Sequence, residues 1–404
     1  MKIPFSPPYV DQDVIHEVTD SLESGWITTG PKVRQLETEI SGLIGIENIL
    51  CVNSATSGLM LALKWFGIQA GDEVIVPAYT YAATALAVYH IGAKPVLVDV
   101  RDDFTIDPIA VKRAITDRTK AVIPVDIAGY PADYDSIKSV IEGGNALKLF
   151  KPTNAKQEKL GRVLILSDAA HSLGARYKGL PMGHSADLTV FSFHAVKNIT
   201  TAEGGAIALN LPSSFDNGKE YAEMRLMTLN GQTKDAYTKT KAGGWKYDIV
   251  LGGLKINMPD VLAAIGLAQI RKYSDFLLPE RKRVAKTYEN LLKPYDWAIL
   301  PTLEDDNTET SYHIYPLRIK NITENQRDMI IEEISRNKVA VNVHFIPLPM
   351  LSFFREMGYS IADFPNAYRN YACEISLPIY PQLDNSKVKI VVETLIDAYK
   401  RVVL

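Results

Sequence analysis

Lys197 and Asp168 are the residues of this chain whose types and setting fit chemistry most directly. Lys197 stands in Phe191-Ser192-Phe193-His194-Ala195-Val196-Lys197-Asn198-Ile199-Thr200-Thr201-Ala202-Glu203-Gly204-Gly205-Ala206, in a polar turn between two apolar runs. A lysine so placed can leave solvent and act as an amine, and Schiff-base formation requires the amine because the ammonium is not nucleophilic. Asp168 ends the apolar run Leu164-Ile165-Leu166-Ser167. An aspartate at a strand end followed by such a lysine is the pairing that pyridoxal phosphate (PLP) requires. The lysine bonds the aldehyde, and the carboxylate keeps the pyridine nitrogen protonated so that the ring draws electrons. Taken alone, each residue has an ordinary reading, a surface lysine and a helix N-cap. Their joint occurrence reverses both, because the 29 positions from 168 to 197 hold one crossover and one strand, which brings the two ends together.

Two further segments fit the same chemistry. Ser54-Ala55-Thr56-Ser57-Gly58 precedes an apolar helical run, and small residues at a helix start leave backbone N–H groups free to face a phosphate. Alone this is a plain N-cap motif; with Asp168 and Lys197 downstream, phosphate binding is the better reading. Val76-Pro77-Ala78-Tyr79-Thr80-Tyr81 places aromatic rings just after a strand, where Tyr81 either stacks on a flat cofactor or packs at a rim.

These residues need a scaffold, and the chain supplies an α/β pattern. Continuous apolar runs at 48–53, 73–77, 95–99, 121–126, 163–167, 188–192 and 206–209 alternate with helical patterns. Unbroken rather than alternating runs imply a mostly parallel sheet of about seven strands, doubly wound and covered on both faces. Ligands of such sheets bind at the C-terminal strand ends, where Asp168 and Lys197 fall. Residues 141–162, polar and lysine-rich, read as an exposed loop or insertion. A helical pattern starts at Pro259-Asp260 and runs to Ile270. Beyond it, strands at 312–317 and 339–344 and a closing helix at 386–403 suggest a smaller α+β unit. The division is therefore 1–258 for a large cofactor-binding unit with an N-terminal arm, and 259–404 for a small one.

Bulk properties exclude several classes. The 404 residues are 23% charged with a net charge of −3, which gives no reason to expect a nucleic acid or an anionic membrane as partner. The start Met1-Lys2-Ile3-Pro4 lacks the apolar stretch of a signal peptide, and no run approaches the ~20 residues of a membrane span, so the expected compartment is the cytoplasm. Cys51 and Cys373 read as two buried reduced thiols. No His, Cys and carboxylate cluster has metal-ligand spacing.

The chain resembles the PLP-dependent sugar-nucleotide aminotransferases of the DegT/DnrJ/StrS type, of fold type I. The similar segments run nearly end to end: Gly25-Trp26-Ile27-Thr28-Thr29-Gly30-Pro31, Gly71 to Pro77 with Thr80-Tyr81, Gly92 to Val96, Ser192-Phe193-His194 with Lys197, Ala263 to Leu267 with Gln269, and Ser376-Leu377-Pro378. The resemblance implies roles. Lys197 would carry the Schiff base and shuttle the proton, Asp168 would pair with the pyridinium nitrogen, and His171 would bond the ring hydroxyl. Tyr81 would stack on the ring, and Thr56, Ser57 and Ser192 would hold the phosphate. Asn257 would reach the phosphate in the partner subunit, which implies an obligate homodimer with shared sites. Thr28, His344 and Phe345 would face the substrate. Two departures stand out: Ser167 where relatives usually carry Glu, and the long 141–162 segment.

The function so implied is transfer of an amino group to a nucleotide-linked 4-keto sugar, with glutamate as donor, for a surface polysaccharide or lipid sugar. The Lys197 segment is most similar to members that aminate C4 rather than C3. A PLP-dependent sugar dehydratase, the runner-up, would carry histidine in place of Lys197. A non-catalytic PLP-binding regulatory protein would lack the lysine–aspartate pair.

Overall fold

The computed structural model describes residues 2–233 and 245–404. Strands β1 Ile49–Val52, β2 Glu73–Pro77, β3 Lys94–Val98, β4 Thr119–Val122 and β5 Leu164–Asp168 come first. A small hairpin, β6 Arg176–Tyr177 and β7 Leu180–Pro181, precedes β8 Leu188–Ser192 and β9 Gly205–Leu209. The large sheet has the order β1-β9-β8-β5-β4-β2-β3. All pairings from β8 across to β3 are parallel, and β9 runs against both its neighbours. This is the mostly parallel sheet that the apolar runs predict.

Side chains alternate across each strand, so each run feeds two cores. Leu164 and Leu166 of β5 join Leu59, Ala62 and Val88 on one face. Val163 and Ile165 join Leu36, Ile137 and Leu267 on the other. The helix Ala55–Trp65 lies flush on the first face because Gly58 has no side chain: a Cβ there would stand 2.9 Å from Val190 Cγ1. Crossovers put the C-terminal ends of β5 and β8, neighbours and parallel, at one edge. Asp168 is the last residue of β5, and Lys197 follows the end of β8 by five residues.

A second antiparallel sheet is formed by β10 Ala298–Ile299, β12 Tyr315–Ile319 and β13 Glu374–Leu377, while β11 Thr308–Glu309 pairs with β6. The helices Leu278–Leu292, Glu324–Arg336 and Asn385–Val403 share a core with it built on Tyr288, Leu317, Ile330 and Leu395.

Four sequence expectations change. The 141–162 segment is largely exposed, as expected, but it is not a structureless loop. It holds the short helices Gly144–Leu149 and Ala155–Leu160, and Gln157 is fully buried, donating to the Phe66 carbonyl at 3.2 Å. Two of its four lysines lie on aromatic rings, Lys156 over Trp65 at 4.9 Å and Lys159 over Phe215 at 4.4 Å, so part of this polar segment is packed. Residues 339–344 form no strand; they make isolated bridges, Val339 to Ile3 and Asn342 to Ser376. The helix Asp260–Ile270, placed by sequence in the second unit, packs instead on the helices Gln12–Glu23 and Pro31–Ile44 and shares the large sheet's core. Its Asp260 carboxylate accepts from the backbone N–H groups of Gly30 (2.7 Å), Lys32 (3.1 Å) and Val33 (3.0 Å), capping a helix far away in sequence. Cys51 is buried, but Cys373 is only half-buried.

The contact at Gly58 sets a test of the fold. Gly58→Val forces the helix off β8 and should destabilise the protein by about 1–3 kcal/mol. The check is the denaturant midpoint, which should fall; an unchanged midpoint means the helix is not held against the sheet as described.

Candidate active site

A cavity of about 420 Å³ opens at the C-terminal edge of the large sheet. Its wall includes Asp168 from β5, Ser192 from β8, Lys197 from the turn beyond, and His344 and Phe345 from the segment facing the second sheet. The residues of 141–162 do not line it, so that segment does not border access here.

Asp168 is 6% exposed. Thr84 Oγ1 donates to its Oδ2 at 2.8 Å and the Ala170 N–H reaches its Oδ1 at 3.3 Å. Burial raises the carboxyl's pKa, while Thr84, Ala170 and the charge of Lys197 pull it down. Lys197 responds in the opposite sense: burial lowers its pKa to about 8, and Asp168 works against that shift. A lysine near pH 8 exists partly as the free amine at neutrality.

The turn that carries Lys197 is pinned on three sides. The Lys197 N–H bonds the His194 carbonyl at 2.9 Å. Asn198 is buried and donates to the Ser311 carbonyl (2.8 Å) and to Tyr273 (3.2 Å). The Thr200 N–H donates to Gln269 at 2.9 Å, and Gln269 in turn donates to the Tyr9 carbonyl at 2.7 Å.

Three histidines are kept neutral around this amine. His171 has its pKa pushed well down by burial and then by the Lys197 charge. The Ala128 N–H donates to His171 Nδ1 at 3.2 Å, so the neutral ring carries its proton on Nε2 and can donate from there. His313, whose ring lies 4.5 Å from that of His171, is likewise held neutral by burial, and its Nδ1 meets Asn198 Oδ1 at 2.9 Å. His344 is lowered to about 3 by burial and Lys197.

The helix Ala55–Trp65 aims its N-terminus at the cavity. Ser54 Oγ accepts from the Ser57 N–H at 3.1 Å, leaving the amides of the first turn without helical partners. Gly205 permits this approach, since a Cβ there would stand 2.7 Å from the Ala55 nitrogen. Ser54, Thr56 and Ser192 line the cavity. Ser57 is not among the lining residues; its hydroxyl meets Ser54 Oγ at 2.9 Å, inside the cap. Tyr81 forms a wall, 64% exposed, with its ring 5.8 Å from that of Phe345.

Thr28 and Asn257 are not brought to this chain's cavity. They belong to another cluster, where Asn257 Nδ2 donates to Thr29 Oγ1 at 2.6 Å and Thr29 Oγ1 donates to the Met258 carbonyl at 2.5 Å. Sequence reasoning also missed several site residues. Ser54, named in the Ser54-to-Gly58 segment without a role of its own, is the N-cap, and Thr84 stands four positions after Thr80, to which it hydrogen-bonds at 2.9 Å. His313 carried no signal beyond its residue type. Phe5 and Ser6 reach the cavity from the N-terminus, Ser6 Oγ donating to the Val196 carbonyl at 3.2 Å.

The donor set fits pyridoxal phosphate. An amine, a carboxyl held by hydrogen bonds, an imidazole N–H, an aromatic wall and a helix N-terminus with three hydroxyls converge on one cavity.

Comparison with known proteins agrees. The spore coat polysaccharide biosynthesis protein SpsC of Bacillus subtilis is 34% identical over 403 residues, 98% of this chain and 97% of that protein. The structure of Spr1654, an assigned sugar aminotransferase of Streptococcus pneumoniae in its PMP form, superposes with a TM-score of 0.95 at 40% identity, covering 99% of this chain and 100% of that one. Its PLP form matches equally well, with a TM-score of 0.95 at 38% identity over the whole of both chains. PseC of Helicobacter pylori, an aminotransferase in the biosynthesis of pseudoaminic acid, superposes with a TM-score of 0.86 at 26% identity, covering 99% of this chain and 100% of that one. The model of the DegT/DnrJ/EryC1/StrS aminotransferase family matches residues 8–396. With Lys197 and Asp168 in one cavity and the match running nearly end to end, this chain belongs to the DegT/DnrJ/EryC1/StrS family of PLP-dependent sugar aminotransferases.

Proposed function

We propose that this enzyme aminates C4 of a nucleotide-linked 4-keto sugar, with glutamate as the amino donor, in the synthesis of a cell-surface polysaccharide or lipid sugar. The observation that carries the amino-transfer chemistry is Lys197, an amine with its pKa lowered to about 8, in one cavity with a buried, hydrogen-bonded carboxyl. The C4 position is supported by the Ser192-to-Ala206 segment, similar to that of C4-aminating members. A surface-glycan destination is supported by the roles named for SpsC and PseC. Two unpaired cysteines are in keeping with a reducing compartment, the cytoplasm. Among the described residues no helix is long and apolar enough to cross a membrane.

When bound, the cofactor supplies the electron sink. The protein's residues do the rest. Lys197 Nζ accepts and returns the proton that moves during amino transfer. Thr84 fixes the direction of the Asp168 carboxylate, which would face the ring nitrogen. His171 Nε2–H would donate to the ring oxygen, and Ser54, Thr56, Ser192 and the first-turn amides would hold the phosphate. His344 and Phe345 close the substrate side.

A homodimer with shared sites is supported by the Thr29–Asn257 cluster, which lies outside this chain's cavity, and by exposed apolar side chains near it in sequence. Ile27 is 54% exposed, Trp245 73% and Val250 54%.

Three tests follow. Amino transfer from glutamate to a panel of nucleotide keto sugars should yield a 4-amino-4-deoxy product by NMR, and Lys197→Ala should lose it entirely. An amine at C3, or activity on small keto acids alone, refutes the C4 reading. In the apoprotein, labelling of Lys197 by trinitrobenzenesulfonate, followed by peptide mass spectrometry, should rise with pH through a midpoint about 8, below the 10.5 of an ordinary lysine. Asp168→Asn removes the charge that favours the ammonium and should move that midpoint lower; an upward move contradicts the assigned pairing. Finally, the protein should scatter light as a dimer, and Asn257→Ala should weaken PLP binding without changing that mass. An active monomer at nanomolar concentration would rule out sharing.

A further inference from the structure

Strand β13 carries a buried polar cluster next to the cofactor site. Glu374 and Ser376 stand two residues apart on this strand, so their side chains share one face. Both are fully buried. Ser376 Oγ is 2.5 Å from Glu374 Oε1 and 2.8 Å from His344 Nδ1. The His344 backbone N–H donates to Glu374 Oε2 at 3.1 Å, and Tyr79 donates to the His344 carbonyl at 2.7 Å. Phe5 stacks on the imidazole with centroids 5.4 Å apart. His344 lines the same cavity as Lys197 and Asp168, with Nδ1 engaged behind it and Nε2 as its remaining nitrogen.

The chain of three groups has two hydrogen-bond directions, and one proton separates them. With Glu374 ionised, Ser376 donates to Glu374 and accepts from His344 Nδ1–H, so Nε2 offers a lone pair. With Glu374 protonated, its O–H donates to Ser376, Ser376 donates to Nδ1, and Nε2 carries the hydrogen. We propose that Glu374 and Ser376 are positioning residues that make His344 a proton relay between the cavity and a buried carboxyl. A proton taken up at Nε2 displaces the Nδ1 proton to Ser376, whose own proton passes to Glu374. The imidazole is neutral before and after, and the carboxylate becomes an acid. This rests on the aminotransferase reading. There an amine must shed a proton to attack a carbonyl, and a carbonyl oxygen must gain protons to leave as water.

The surroundings suit the task. Glu374 has no ion-pair partner among the described residues. Arg327 donates to Asp328 and to the Tyr371 and Glu374 carbonyls, and Arg318 donates to Asn370. Both guanidiniums favour the ionised form from a distance, while Tyr79 and Cys373 are the other titratable groups that feel Glu374. Burial outweighs these and lifts Glu374 to about 8. Lys197, His171 and His313 face His344 across the cavity, and the Lys197 charge disfavours an imidazolium. Passing the proton inward avoids that cation.

The test is the tautomer of His344, read by long-range ¹H–¹⁵N correlation in the full-length apoprotein labelled at histidine, with His344→Gln to assign the signal. In the wild type the ring should change from Nε2–H to Nδ1–H as pH rises through about 8. Glu374→Gln reproduces the hydrogen bonds of the protonated acid and should hold Nε2–H at all pH. Ser376→Ala cuts the relay and should abolish the dependence while Glu374 remains; it serves if Glu374→Gln does not fold. A single wild-type tautomer across the range, or the same transition in Glu374→Gln, overturns the proposal. This readout needs no sugar substrate, so it stands apart from the amino-transfer assay. In enzyme that does transfer amino groups, Glu374→Gln should lower kcat by about a hundredfold.

Discussion

Everything in this enzyme depends on keeping one lysine out of water without giving it a permanent counter-ion. A solvated lysine is an ammonium and cannot react. A lysine tightly paired to a carboxylate is an ammonium too. Here Asp168 raises the pKa of Lys197 and burial lowers it, and burial prevails. Asp168 is satisfied mainly by Thr84 and the Ala170 amide, so its charge is stabilised by neutral donors and its direction is fixed. The histidines around the amine reinforce the balance. Each is held neutral by burial, so none adds a positive charge to the cavity.

The fold delivers this arrangement through parallel pairing. β5 and β8 are neighbours running the same way, which puts Asp168 and the Lys197 turn at one edge. The antiparallel β9 then begins at Gly205, whose lack of a side chain lets the helix after β1 bring its N-terminus to the same edge. Three segments distant in sequence thus meet because one sheet orders them. The helix Asp260–Ile270 adds a further constraint: Asp260 caps the helix Pro31–Ile44, and Gln269 pins both the lysine turn and the Tyr9 carbonyl.

The strands, the positions of Lys197 and Asp168 and the helix that follows Ser54 were legible because each follows from local pattern: an apolar run, a residue at its end, small residues before a helix. Their company was also legible, since a known crossover length joins Asp168 to Lys197. What was not legible rests on long-range packing. Thr84 and His313 acquire roles only through partners 84 and 142 positions away. The 141–162 segment reads as loop because lysine is polar, yet its stems lie on Trp65 and Phe215. The placement of Asp260–Ile270 failed for a related reason: its Ala-rich pattern says helix, and nothing in it says against which unit it packs.

Ser167 shows how such a site is kept from accumulating charge. The family resemblance leads to an expectation of glutamate before the aspartate. In this chain Ser167 is fully buried, and its hydroxyl meets Tyr134 at 2.5 Å. Tyr134 donates to Asp126 at 2.8 Å, and Asp126 also takes bonds from Ser172 and the Ala132 amide. Asp126 is already pushed up to about 6 by burial, with the nearby Asp168 adding to the rise. A glutamate at 167 in this packing would be a third buried carboxyl beside those two, and each would raise the others' pKa values. Protonating Asp168 would remove the charge proposed to face the ring nitrogen. Serine with Tyr134 satisfies the same buried space with neutral hydrogen bonds, so the departure at 167 and the ionisation of Asp168 are two sides of one electrostatic constraint.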